Sequence, residues 1–206
     1  MPPFAHIFAG FSFGFTFRRE LARILRETRP DSSTTTLDPA RLTGGGIAAL
    51  ALDFDGVLAP HGFSAPLPEA WEWLARCSAV FGADRIFILS NKPTEARKAW
   101  FRDHFPEIRF ISGVRKKPYP DGLKKAGELA RVPLSAILMV DDRLLTGCLA
   151  ALVAGARPCY IRRPCISLRH RPLAELFFMA LRAGERLLLF WSVPAMCMGN
   201  RGQTSR

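Results

Sequence analysis

Between Gly46 and Arg163 the chain alternates apolar runs with segments of helical period. The strongest runs are Ile47 to Phe54, Arg85 to Ser90 and Ser135 to Val140, with shorter ones at Arg109 to Ser112 and Pro158 to Ile161. Runs without an exposed polar face suit strands covered on both sides, the condition of a parallel sheet. Leu67 to Val80 (with Pro68 at its start), Pro93 to Phe105, Asp121 to Arg131 and Leu144 to Ala154 place their apolar residues at helical spacing. Strand and helix in alternation predict an α/β, Rossmann-like parallel sheet flanked by helices.

The flanks follow other patterns. Phe11, Phe13, Phe15 and Phe17 alternate, which predicts a strand-like segment. Phe17 to Glu27 then reads as a short helix, with Leu21, Ile24 and Leu25 on one side and arginines on the other. Arg29 to Ala40 is polar, holds two prolines and reads as a linker. Leu173 to Trp191 reads as one or two amphipathic helices with Arg182, Glu185 and Arg186 on the polar side, and Gly199 to Arg206 is expected to fray. The organisation expected is an N-terminal amphipathic segment and linker (1–40), a central domain (41–165) and a C-terminal amphipathic tail (166–206), with no internal repeat.

Composition narrows the setting. A chain of 206 residues that is 49% hydrophobic can bury a core and is not a disordered segment. Its net charge of +11 calls for an anionic partner: nucleic acid, acidic lipid or a phosphorylated substrate. Cys77, Cys148, Cys159, Cys165 and Cys197 are odd in number and show no CxxC spacing, which argues against a disulfide framework or a zinc site and for a reducing compartment. The apolar stretch Met1 to Phe17 contains Pro2, Pro3, Gly10 and Gly14 and is shorter than the roughly 20 residues of a membrane span. Arg18 and Arg19 follow it rather than precede it, unlike the cations of a signal peptide. Leu187 to Asn200 is broken by Pro194. The expected location is cytoplasmic, with two alternatives for the basic, apolar termini: peripheral contact at the inner face of the membrane, or packing back onto the domain.

In an open parallel sheet ligands bind beyond the carboxyl ends of the strands. There the sequence places Asp53 and Asp55 after the first run, Ser90 and Asn91 after the second, Lys116 and Lys117 after the third, and Asp141 and Asp142 after the fourth. Clustered carboxylates hold protons unless a cation sits among them, and a hard, oxygen-rich pocket suits Mg²⁺. A hydroxyl and a lysine complement phosphate oxygens. The period of two along extended chain lets Asp53 and Asp55 face one pocket, so that one attacks phosphorus while the other handles protons. Plainer readings stand beside these. Ser90 and Asp141 suit helix caps or turns, and composition does not choose between Lys116 and Lys117. His61 suits an exposed loop and Lys92 a solvated one. Arg115, Arg143, Arg162 and Arg163 would add positive potential at the rim if their loops point that way.

Asp53-Phe54-Asp55-Gly56-Val57-Leu58, Ser90-Asn91, Lys117-Pro118 and Asp141-Asp142 resemble, in type, order and spacing, the four motifs of the haloacid dehalogenase superfamily of phosphatases. The resemblance implies that Asp53 is the nucleophile and that Asp55 is the general acid/base, with its backbone carbonyl on Mg²⁺. It further implies that Ser90 and Lys117 hold the phosphoryl group, with Asn91 at the phosphate rim, and that Asp142, with Asp141 second, binds the metal beside Asp53 and Asp55. Gly46-Ile47, Lys116-Lys117-Pro118 and Val140 to Thr146 further resemble the subclass IIIA, YqeG-type group, which includes phosphatidylglycerophosphate phosphatases. Motif four of that group usually reads Val-Gly-Asp-Gln-Leu-Leu-Thr-Asp. Here Asp141 replaces the Gly, Arg143 the Gln and Gly147 the final Asp. Two alternatives follow: Asp141 supplies the missing acid, or the metal site is weaker.

The intervals Gly56 to Leu89 and Asn91 to Lys116 are each shorter than the roughly 40 residues an independently folded insert needs, so no large cap is expected and the pocket should be open. An open pocket suits a phosphate fixed to a membrane or macromolecule, and the first expectation is a phosphorylated glycerolipid, phosphatidylglycerophosphate. The alternatives are a phosphatase of nucleic-acid ends or of small soluble esters, and a non-catalytic scaffold. Nucleic acid ranks lower because no interleaved basic-aromatic stripe is present. The sequence leaves the oligomeric state open.

Overall fold

The computed structural model describes residues 5–91 and 93–192. In chain order the elements are α1 (Ala5–Thr16), α2 (Arg18–Glu27), α3 (Pro39–Gly44), β1 (Ala49–Leu52), α4 (Pro68–Phe81), β2 (Ile86–Ile88), α5 (Glu95–His104), β3 (Arg109–Phe110), α6 (Asp121–Ala130), β4 (Ile137–Asp141), α7 (Leu149–Ala154), β5 (Arg157–Tyr160) and α8 (Pro172–Ser192). All five strands are parallel, in the order β3-β2-β1-β4-β5. This is the expected α/β architecture. The fraying expected at 199–206, the break at Pro194, Cys197 and Lys92 lie outside the described residues.

The sheet is covered on both faces because its central strands are apolar throughout 49–52, 86–88 and 137–140. Leu50 and Leu52 of β1, Ile86 and Ile88 of β2, and Leu138 and Val140 of β4 enter one core with Trp73, Leu74 and Phe101. Their alternates, Ala49, Ala51, Phe87, Ile137 and Met139, enter a second core with Leu123 and Ala126 of α6. The period of two thus feeds two helix layers from one sheet. α4 opens with Pro68 in its first turn and stops at Gly82, and α5 is capped by Thr94, whose side chain accepts from the Arg97 amide.

A third cluster joins the two ends of the chain. Leu21 and Leu25 of α2, Leu144, Cys148 and Leu149 after β4, Tyr160 of β5 and Leu189 of α8 pack together. The segment 29–40 is no loose linker: Thr34 Oγ1 donates to the Val57 carbonyl at 2.6 Å, and the Ser32 carbonyl accepts from the amides of Arg162 and Arg163.

Two local expectations are corrected. Phe11, Phe13 and Phe15 lie in the helix α1, and Phe17 lies between it and α2, so the alternation does not form a strand. On a helix, Phe8, Phe11 and Phe15 share one exposed face at spacings of three and four, whereas Phe13 and Phe17 pack against the third cluster. In α8 the polar stripe does not face water: Glu175, Arg182 and Glu185 are buried against the body, and large apolar residues face outward.

Candidate active site

The functional side chains stand at the carboxyl ends of β1 and β4 because the ladder extends to them. The Asp53 amide donates to the Val140 carbonyl at 3.0 Å, and the Ile161 amide to the Asp141 carbonyl at 2.9 Å. Asp53 and Asp141 are thereby fixed on adjacent strands. One carboxylate oxygen from each of Asp53, Asp141 and Asp142 falls within 4.8 Å of the others. Lys117 enters from the loop before α6, its Nζ 2.6 Å from Asp141 Oδ2 and 3.1 Å from Asp53 Oδ1. Asn91 Oδ1 accepts from the Lys117 amide at 3.0 Å, which ties the loop after β2 to the lysine. The structure therefore brings Lys117, not Lys116, to the acids.

Burial dominates the electrostatics. It pushes the Asp53 carboxyl up from 3.8 to about 7; Lys117 opposes this, and the Asp141 and Asp55 charges add to it. Burial likewise pushes Asp142 up to about 8, reinforced by Asp141 and Asp53 and opposed by Arg182. For Lys117 burial alone would lower the pKa, but the Asp141 and Asp53 carboxylates outweigh it and raise the pKa above the usual lysine range.

The Asp141 side chain serves three partners. Its Oδ2 meets Lys117, and its Oδ1 accepts from the Arg143 amide at 2.8 Å and the Thr146 hydroxyl at 3.4 Å. It is both a turn residue and part of the acidic cluster. The chain then makes a single π turn, Leu144–Cys148, of the kind found at functional sites. A Cβ built on Gly147 within that turn would lie 2.5 Å from Asp141 Cβ, closer still to its carboxylate. The Asp141 side chain therefore fills the room that any side chain at 147 would need. Gly56, at φ +82°, plays the matching part for Asp142: a Cβ there would lie 2.7 Å from Asp142 Cγ.

Asp55 is not in the three-acid cluster. Arg97, buried on α5, holds both its oxygens, with Nη2 2.6 Å from Oδ1 and Nη1 2.9 Å from Oδ2. The Arg97 guanidinium also stacks on Phe54 at 4.1 Å. Ser90, Asn91 and Lys117 line an adjoining cleft whose other walls are largely apolar, among them Leu89, Ile111 and Leu123.

Sequence reasoning missed four site neighbours. Arg97 was hidden in an ordinary helix. Arg182, on α8, places Nη1 2.6 Å from Asp142 Oδ2. Glu175 accepts from the His61 amide at 2.9 Å, and its Oε2 lies 3.3 Å from His61 Nδ1. His61 also stacks on Phe178 with ring centroids 3.9 Å apart, so it is no exposed loop residue. Burial lowers its pKa, against the Asp55 and Glu175 charges. Glu185 binds the Arg143 guanidinium and accepts from the Leu144 amide at 3.0 Å. Arg143 is thus spent on α8, and Arg162 turns to the Thr28 carbonyl at 3.2 Å. The described cysteines Cys77, Cys148, Cys159 and Cys165 are free thiols, and burial raises the pKa of each.

The donor set fits a hard divalent cation. Three carboxylates converge, burial makes each charge costly, and the lone lysine between two of them leaves the third to a guanidinium.

Two solved structures show similarity to the chain. An uncharacterized protein from Corynebacterium glutamicum shares 21% identity over 66% of this chain and 96% of its own, with a TM-score of 0.44. An uncharacterized protein from Listeria monocytogenes serotype 4b shares 15% over 71% of this chain and all of its own, with a TM-score of 0.48. No curated protein matches the chain. The model of the haloacid dehalogenase-like hydrolases matches residues 12–155, well over half of the chain and every residue of the acidic cluster. With that match over this geometry, the protein belongs to the haloacid dehalogenase-like hydrolase family.

Proposed function

We propose that the protein is a Mg²⁺-dependent phosphomonoester hydrolase that works through an aspartyl-phosphate, and that its substrate is a phosphorylated glycerolipid such as phosphatidylglycerophosphate. The observation that carries the chemistry is the contact of Lys117 with both Asp53 and Asp141 at the carboxyl edge of the sheet.

An Asp53 carboxylate oxygen attacks phosphorus, forming a P–O bond as the bond to the ester oxygen breaks. The departing alkoxide takes a proton from Asp55. Water then attacks the phosphoryl group, gives its proton to Asp55, and releases phosphate and free Asp53. Lys117 and Ser90 hold the phosphoryl oxygens, Asn91 holds the Lys117 loop, and Arg97 orients Asp55. Asp53, Asp141 and Asp142, with the Asp55 carbonyl, would hold Mg²⁺, which when bound neutralises charge on the transferring group.

Two features support a large, surface-bound substrate: the short intervals between the motifs, which hold no folded cap, and the net charge of +11. The test is phosphate release with and without Mg²⁺ from a panel of phosphatidylglycerophosphate in mixed micelles, 5′- and 3′-phosphorylated oligonucleotides, and small sugar phosphates. Mg²⁺-dependent preference for the lipid is expected. Preference for an oligonucleotide or a soluble ester would replace the substrate. No release from any member would leave a scaffold.

A further inference from the structure

α8 is amphipathic in the reverse of the usual sense. It has four charged residues, and the body of the protein engages all of them: Glu175 at His61, Arg182 at Asp142, Glu185 at Arg143, and Arg186 at the Tyr160 hydroxyl (2.7 Å) and the Arg162 carbonyl (2.9 Å). The opposite face carries Leu173, Leu176, Phe177, Leu187, Leu188, Phe190 and Trp191, all exposed, from 52% at Leu176 to 83% at Leu173. α1 repeats the theme. It contains no Asp, Glu, Lys or Arg and exposes Phe8, Phe11 and Phe15, the first at 76%. Soluble surfaces rarely expose so much contiguous apolar area without a partner.

Both helices pack against the turn Leu144–Cys148 that follows Asp141 and Asp142. The two helices therefore border the carboxyl edge of the sheet where the acids gather. Arginines stand beside them: Arg169 and Arg171 are exposed just before α8, and Arg19 and Arg23 just after α1. No described helix is long and apolar enough to cross a membrane, so these faces would rest on a surface.

We infer that the outer faces of α8 and α1 form a docking surface for an anionic lipid bilayer. An apolar face edged by arginines on a chain of charge +11 matches acyl chains beneath anionic head groups. A second copy of the chain would bring a second +11 against the first, which opposes that pairing. The arrangement also explains why the polar stripe of α8 points inward: held by Asp142, His61 and Arg143, the helix can give its whole outer face to lipid. The inference deepens the reading of the substrate as a phosphorylated lipid, and its test needs no turnover.

The full chain is sedimented with vesicles of phosphatidylcholine alone or mixed with phosphatidylglycerol. It is expected to follow the anionic vesicles and to stay free of the neutral ones. Phe177→Ser with Leu188→Ser, and separately Phe11→Ser with Phe15→Ser, should each weaken that partition by ~10-fold or more while turnover of p-nitrophenyl phosphate is unchanged. Having two variants on two helices keeps the test intact where one fails to fold. A wild-type chain that stays in the supernatant, binds neutral vesicles equally well, or is matched by both variants overturns the inference. So does a lipid-free dimer, seen by analytical ultracentrifugation, that the same substitutions dissociate. Vesicle binding without any phosphatase activity would instead strike the proposed function and leave the docking surface standing.

Discussion

Arg182 Nη1 lies 2.6 Å from Asp142 Oδ2, and both side chains are almost fully buried. A guanidinium from α8 thus sits on a carboxylate of the acidic cluster, where a divalent cation would also draw charge. Its other terminal nitrogen, Nη2, is buried with no hydrogen-bond partner and lies 3.9 Å from Glu175 Oε2.

Removing the guanidinium leaves Asp142 buried among like charges. Arg182→Gln should therefore cost about 3 kcal/mol of stability without divalent cation, in the range seen when one member of a buried ion pair is deleted. Mg²⁺ should restore much of it, so the rise in melting temperature on adding Mg²⁺ should be larger for the variant than for the wild type. Equal rises in the two proteins would mean that cation and guanidinium do not share Asp142.

The raised pKa values of Asp53 and Asp142 set a pH dependence. Each carboxyl titrates near 3.8 in the unfolded chain and near 7 and 8, respectively, in the fold. Between these values the folded state binds more protons, so stability is highest below about pH 4 for these two groups and falls as pH rises through 7 to 8. Denaturant melts of the cation-free protein should show this decline. Asp142→Asn should flatten it, and saturating Mg²⁺ should suppress it. A stability that climbs across the same window would contradict the buried, unneutralised cluster.

The roles of Asp53 and Arg97 separate in kinetics. Asp53→Asn should lower kcat by ~10⁴-fold or more, with the fold intact and the protein more stable at pH 8, where the buried charge is gone. Arg97→Gln should lower kcat less and alter its pH profile, since both Asp55 oxygens lose their holder. Steady-state rates across pH, with circular dichroism as the control, decide both. Full activity of Asp53→Asn would remove the nucleophile from the mechanism.

The packing of Asp141 over Gly147 predicts a reciprocal pair. Gly147→Ala forces the Asp141 carboxylate off its place beside Lys117 and should weaken Mg²⁺ binding, read by calorimetry, as well as turnover. Asp141→Gly combined with Gly147→Asp moves the acid back to the position usual in the motif that this segment resembles. The double variant should recover more Mg²⁺ affinity than either single change, a coupling expected of side chains that share one volume. Additive losses would show that the two positions act independently.

The strand ends were legible in the sequence because each apolar run stops at a polar residue that the sheet must deliver to its carboxyl edge. Asp53, Asn91, Asp141 and Asp142 were placed on that edge in this way, whereas Lys117 was separated from Lys116 only by the motif it resembles. Arg97, Arg182 and Glu175 were not, since each sits in a helix whose local pattern is that of any amphipathic segment. Their part depends on which residue lies opposite, across intervals of roughly 40 to 110 positions.

Local periodicity and composition determined the alternation of strands and helices between Gly46 and Arg163, the two-faced burial of the central strands and the polar residues at their carboxyl ends. They could not determine the direction in which α8 faces. A helical pattern specifies an apolar and a polar side but not which of them meets the protein. Here His61, Asp142 and Arg143 drew the charged side inward, because buried charges are stable only when paired. The apolar side was left exposed by that choice, and only the assembled tertiary structure could make it.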